Sequence, residues 1–175
     1  MARIRAARFS DASAIARVHI DSWRATYAGV MPAEFLMSLS YPARASWWEE
    51  ILETDPPAMS TFVAETRPGE VVGFVGGGPE REANPDFGAE LYAIYVYEDY
   101  QRRGVGRRLV SALAGALSER GFSSMLLWVL EDNPRARSFY ESLGGEELNK
   151  QTITIGGEDL IEVSYGWRNI ETLRE

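Results

Sequence analysis

Within the eight residues from Gln101 to Arg108 the chain places two glycines and four arginines, in the run Gln101, Arg102, Arg103, Gly104, Val105, Gly106, Arg107, Arg108. An apolar stretch, LYAIYV, precedes the run, and Val105, Leu109, Leu113 and Leu117 follow at helical spacing. That order predicts a strand, a tight turn and the start of a helix. The first amides of a helix have no partner inside the helix, and its dipole leaves partial positive charge there, so such a junction binds phosphate. Gly104 and Gly106 would let a pyrophosphate approach the main chain, while the neighbouring arginines supply charge-assisted contacts. Arg135 and Arg137 add two more cations further on. The chemistry suits a diphosphate.

Two better-known phosphate loops do not fit these letters. The dinucleotide fingerprint G-x-G-x-x-G needs glycine where Leu109 stands, and a Walker A loop needs Gly-Lys before Ser or Thr, whereas the sole lysine, Lys150, lies between Asn149 and Gln151. A serine hydrolase would want a G-x-S-x-G elbow, and none occurs. The chain has no cysteine and a single histidine, His19, which excludes disulfides and thiolate sites and argues against a bound metal.

The elements that must hold this junction can be read along the chain. Arg3 to Arg8 predicts a first strand, with Ser10 or Asp11 capping the helix that follows. Ile15, His19, Trp23 and Tyr27 share one face of that helix, which Gly29 ends. A short helix from Pro32 and a third over Pro42 to Glu53, carrying Trp47 and Trp48, come next. Thr61 to Thr66 and Val71 to Gly76 read as a hairpin across RPGE, and Gly77 to Gly88 as a loop rich in glycine, proline and acid. Glu90 to Tyr97 is a buried strand, Gly104 to Arg120 an amphipathic helix closed by Gly121, and Met125 to Leu130 a second buried strand. Pro134 to Leu143 forms a last helix, before strands at Gln151 to Ile155 and Leu160 to Trp167. We expect an α/β fold of mixed strands and helices around one sheet, in a single domain over residues 1–175.

Length and composition agree with one compact core: 175 residues, 45% hydrophobic and 25% charged. A formal net charge of −8, from 18 basic and 26 acidic side chains, argues against a nucleic-acid partner and would suit a cationic small substrate. No stretch approaches the length of a membrane span and no signal peptide is apparent, so the expectation is a soluble cytoplasmic protein without a membrane partner.

The run Q-R-R-G-V-G matches the Q/R-x-x-G-x-G/A signature of the GNAT superfamily of N-acetyltransferases. Its setting, IYV on the strand before it, an amphipathic helix after it, then LLWVL and NPRARSFYESLGG, resembles that family from Glu90 to Gly145, and ARVHIDSWRATYAGVMP resembles bacterial members. The resemblance implies a central mixed, mostly antiparallel sheet flanked by helices, in the order β-α-α-α-β-β-β-α-β-α-β-β. It also implies acetyl-CoA as co-substrate. Main-chain groups around Tyr95, at Ile94 and Val96, would hold the pantetheine. The segment Gln101, Arg102, Arg103, Gly104, Val105, Gly106 and Arg107 would hold the pyrophosphate, with Asn133 and Arg137 as further contacts and Tyr140 as general acid. Two positions depart from the pattern: Glu98 replaces a frequent proline, and Gly145 stands where an aromatic often follows Gly144.

An alkylammonium acceptor with a pKa near ~10 must lose a proton before it attacks a thioester, and the departing thiolate must be stabilised. Glu90 is the candidate base, directly or through water, with Glu80, Glu82 and Asp86 as competitors. Tyr140 is the candidate acid; the alternative is a ring that only packs on the sheet. Trp23, Tyr27 and Tyr92 could wall the acceptor site, although an aromatic helical stripe also builds cores, and His19 reads as structural. The expected function is acetyl transfer to a small-molecule or peptide amine; the alternative is a non-catalytic acyl-CoA sensor or interaction domain of the same fold. A homodimer through the last strands is a family-level expectation.

Overall fold

A computed structural model describes residues 2–54 and 59–174. Seven strands form one sheet in the order β1-β2-β3-β4-β5-β7-β6. They are β1 (Arg3–Ala6), β2 (Ser60–Glu65), β3 (Val71–Pro79), β4 (Ala89–Val96), β5 (Met125–Leu130), β6 (Glu146–Ile155) and β7 (Glu158–Trp167). Every neighbouring pair is antiparallel except β4 and β5. Helices α1 (Ala12–Thr26), α2 (Ala33–Ser38) and α3 (Tyr41–Glu53) come between β1 and β2, α4 (Val105–Glu119) joins β4 to β5, and α5 (Pro134–Ser142) precedes β6. The element order and the mixed, mostly antiparallel sheet are those expected. Among the described residues no helix is long and apolar enough to cross a membrane, and no group of side chains could hold a metal ion.

The apolar stripes explain the layering. Val105, Leu109, Val110, Leu113, Ala114 and Leu117 of α4 are buried against one face of the sheet, over Val75, Leu91 and Leu127. On the opposite face Ile15, Ala16 and Val18 of α1 and Trp48 of α3 pack on Val63 and Phe74. A third cluster, Tyr27, Met31, Leu36 and Leu130, closes the end where α1 and α2 meet β5.

Three local expectations are corrected. The loop expected over 77–88 begins later, because β3 continues through Gly77 and Gly78 to Pro79. A bulge causes this: Gly76 faces Ala93 and Gly77 faces Leu91, which leaves Tyr92 as the extra residue on β4. A Cβ on Gly77 would sit 2.6 Å from the Glu90 carbonyl oxygen and 2.9 Å from Leu113, so glycine there admits the bulge rather than marking a loop. Strand β6 begins at Glu146, not Gln151. As the outermost strand it tolerates the polar run EELNK, which lacks the alternation of a half-buried strand. Neither capping candidate bonds the start of α1. The Asp11 carboxylate instead accepts from the Arg8 amide at 2.8 Å and from the Arg5 guanidinium at 2.7 and 2.9 Å, fixing the turn between β1, which ends at Ala6, and the helix.

Strands β4 and β5 pair only at Ala89 with Met125 and Glu90 with Leu126. Beyond that point β5 stays in register with β7 while β4 stays with β3, and the two middle strands diverge. The bulge at Tyr92 falls where the divergence starts, in keeping with the added twist a bulge imparts. The result is a V-shaped gap in the centre of the sheet.

Candidate active site

The gap exposes main-chain donors and acceptors. The Tyr97 amide donates to the Val72 carbonyl at 2.9 Å, so antiparallel alternation turns the polar groups of Tyr95 toward β3 and those of Ile94 and Val96 away from it, into the gap. The Gln101 side chain donates to the Val96 carbonyl at 2.8 Å and thereby ties the following loop to the end of β4.

That loop turns sharply into α4. Arg102 and Gly104 both adopt left-handed backbone, φ 56° and 78°. Gly104 is the N-cap of α4 and no side chain caps the helix, so its first amides face outward without a side-chain partner. A Cβ at Gly104 would meet nothing within 4 Å, whereas one at Gly106 would lie 3.1 Å from the Phe139 ring. Gly104 therefore serves the turn, and Gly106 serves the close packing of α5 on α4.

The arginines divide. Arg102 and Arg103 are exposed on the loop, Arg103 lying over the Tyr100 ring at 5.9 Å. Arg107 reaches the Ser142 carbonyl only at 3.5 Å. Arg108 turns away, donating to the Ala2 carbonyl at 2.8 Å. Arg137 is engaged by the Tyr165 hydroxyl and the Glu147 carboxylate, each at 3.1 Å, and Arg135 pairs with Glu98 at 3.2 Å. The glutamate that departs from the family pattern thus links the loop to α5.

Tyr140 is buried on α5, its ring edge-on to Trp167 and tilted against Tyr165. Trp167 also explains Gly145, since a Cβ there would come within 2.8 Å of the indole. Burial, and after it the neighbouring Tyr27, push the Tyr140 phenol above its ordinary pKa. Tyr27, at the end of α1, is raised by burial and eased back by the side chains of Tyr95 and Asn133. Asn133 caps α5, accepting from the Ala136 amide at 3.1 Å. The side chains of Tyr27, Tyr95, Asn133 and Tyr140, from the ends of α1 and α5 and from β4, thus lie close to one another.

Glu90 sits at the closed end of the gap and is 3% exposed. Arg81 grips both of its oxygens, its Nε at 3.0 Å from Oε2 and its Nη2 on Oε1, and lies over the Tyr92 ring at 4.5 Å. Of the competing acids, Glu80 accepts from the amides of Glu82 and Asn84 and closes its own loop, while Glu82 and Asp86 are exposed.

A cavity of about 460 Å³ opens on the opposite side of β4, between α1 and α3. Trp23 and Tyr92 line it, together with Tyr95, His19, Trp48 and Arg44. Tyr27 stands behind Trp23, ring centres 5.5 Å apart. His19 stacks on Tyr95 at 5.1 Å, and burial, with the Arg44 charge beside it, lowers its pKa to about 3. Its structural role therefore extends to a wall of the cavity. The sequence pattern put Trp47 and Trp48 on the third helix but gave neither them nor Arg44 a place at a site, although Arg44, Trp47 and Trp48 have the i, i+3, i+4 spacing that puts a cation and two indoles on one helix face.

Residues 19–145 match the acetyltransferase (GNAT) family. Over 174 residues the chain is 38% identical to an uncharacterized N-acetyltransferase of Bacillus subtilis, YuaI, covering 99% of this chain and 97% of that one. It is 34% identical over 144 residues to a probable N-acetyltransferase of Mycobacterium tuberculosis, covering 79% and 76% respectively. Among solved structures, the PaiA N-acetyltransferase of Thermoplasma acidophilum in complex with coenzyme A superposes with a TM-score of 0.72 at 21% identity, over 93% of this chain and 98% of that one, a likeness of fold.

Proposed function

Since the chain belongs to the GNAT acetyltransferase family, we propose that it passes the acetyl group of acetyl-CoA to the primary amine of a small molecule or peptide by direct attack on the thioester. The observation that carries this reading is the gap between β4 and β5, with the polar groups of Ile94 and the Val96 amide turned into it, the Val96 carbonyl tied to Gln101, and the uncapped start of α4 at its end. An extended pantetheine would pair with β4 in place of the missing strand, and the pyrophosphate would meet the amides from Arg102 to Arg107. The Thermoplasma relative of this fold was solved with coenzyme A. The coenzyme supplies an acyl group already activated as a thioester.

The remaining work falls to side chains. The raised pKa of Tyr140 keeps the phenol protonated, so it acts as a hydrogen-bond donor to developing negative charge on sulfur rather than releasing its proton outright. Asn133 would contact the coenzyme beside it. Glu90 is the proposed proton acceptor, through water, since its Oε1, held by Arg81 Nη2 alone, keeps a second acceptor site while Oε2 takes both the Arg81 Nε and the Arg81 amide. Trp23 and Tyr92 wall the acceptor side, with Tyr27 behind. A second copy of the chain would add along β6, one of the two edge strands of the sheet.

Thiol release from acetyl-CoA, followed against a panel of amines, tests the proposal. Release should require an amine and match acetylamide formed. Tyr140→Phe should lower kcat by about a hundredfold or more while shifting coenzyme affinity little. Unchanged turnover would remove Tyr140 from the reaction, and coenzyme binding without release on any amine would contradict the proposal itself.

A further inference from the structure

We propose that the cavity between α1, α3 and β4 selects an acceptor amine that bears a carboxylate on an apolar or aromatic body, an amino acid or short peptide, and that Arg44 binds the carboxylate. The inference rests on the transferase reading above and names its substrate class.

Arg44 is the exception among the partly buried arginines. Arg5 is held by two carboxylates, Arg24 by the Leu36 and Leu39 carbonyls, Arg108 by the Ala2 carbonyl and Arg137 by Glu147. The Arg44 side chain has no ion pair or hydrogen bond among the described residues; its guanidinium lies over the Trp47 ring at 5.4 Å and beside the buried His19. Removing a guanidinium from water without a partner is unfavourable, and a bidentate carboxylate is its best-matched complement.

A second observation points to the same ligand. Among the described residues, His19 Nδ1 and Trp48 Nε1 are buried without a hydrogen-bond partner, on side chains that are 7% and 1% exposed and that both line the cavity. The indole nitrogen is a donor, so the wall beside Arg44 carries an N–H that no acceptor among the described residues takes up. No acidic side chain among the described residues lines the cavity, which leaves a polyamine without a counter-charge from them despite the net charge of −8. The walls of Trp23, Trp47, Trp48, Tyr92 and Tyr95 call for an apolar body, and a volume of about 460 Å³ accommodates an amino acid or dipeptide. Tyr92 and Tyr95 place the inner wall on the strand that borders the gap, so a carboxylate at Arg44 directs the far end of the ligand toward the thioester site.

The full chain is titrated with L-phenylalanine, L-leucine, L-methionine and the dipeptides glycyl-phenylalanine and glycyl-leucine, each beside its C-terminal amide, and with phenethylamine, reading tryptophan fluorescence. Coenzyme A is titrated separately. At least one acid should bind about tenfold or more tighter than its amide, Arg44→Gln should erase that preference, and Arg44→Lys should restore part of it. No acid binding at 10 mM (roughly a hundred times a typical KM), amides binding as well as acids, or a preference that survives Arg44→Gln would each overturn the inference. Should amides and phenethylamine be acetylated as well as the acids, this inference fails and the transferase reading stands. Acids bound by a chain that does not bind coenzyme A would overturn the transferase reading and leave the Arg44 carboxylate site standing.

Discussion

His19 shows how one side chain can tie stability to the site. Packed between Trp23, Trp48, Phe74 and Tyr95, it is held neutral, with its pKa lowered from 6.5 to about 3. Between those values the unfolded chain binds a proton that the folded chain does not, so stability must fall as pH falls. The slope approaches ~1.4 kcal/mol per pH unit, which amounts to about 2 kcal/mol between pH 7 and pH 5. Denaturant unfolding across that interval should show the loss, and His19→Phe should remove most of it; an unchanged slope would place the buried proton acceptor elsewhere. The depressed carboxyls of Asp11 and Glu65, both held by Arg5, act only in more acidic solution, where their protonation removes the stabilisation they give near neutrality. His19 was legible in the sequence as part of an aromatic helix face, but its role beside Arg44 was not. The two residues lie 25 positions apart, on α1 and α3, and only the packing of α3 against α1 brings them to one cavity.

Among the elements, the turn from β4 into α4 carries the phosphate reading, and Gly104 separates shape from charge. Its φ of 78° penalises any L side chain, although a Cβ would find open space. Gly104→Ala should therefore cost about 1–2 kcal/mol of stability and leave coenzyme binding measurable. Gly104→Asp carries the same strain but adds a negative charge at the helix start, and should abolish binding in calorimetry. Equal binding by the two variants would mean that the loop does not hold phosphate. This turn was readable from spacing alone, because strand, glycine turn and amphipathic helix are all local patterns. The bulge was not: the glycines of β3 resemble a loop until Gly77 is seen against Glu90 and Leu113. β6 escaped in part for the opposite reason, since an outermost strand need not alternate.

Across the whole molecule, the sheet is continuous except where β4 and β5 separate, and that separation unites the proposed parts. α4 and α5 cover one face and α1 and α3 the other, so a thioester lying in the gap would be reached by Tyr140 from one side and by an amine in the aromatic cavity from the other. The element order and the layering followed from hydrophobic period and from the family resemblance. The splay did not, because it depends on how many residues two parallel strands share, which no local pattern records. Calorimetric titration of coenzyme A into the full chain probes the gap and the α4 turn together. Saturable binding at one site per chain is expected at sub-millimolar concentration, lost in Gly104→Asp, and the absence of any binding heat at millimolar coenzyme would contradict the assignment of the gap as its site.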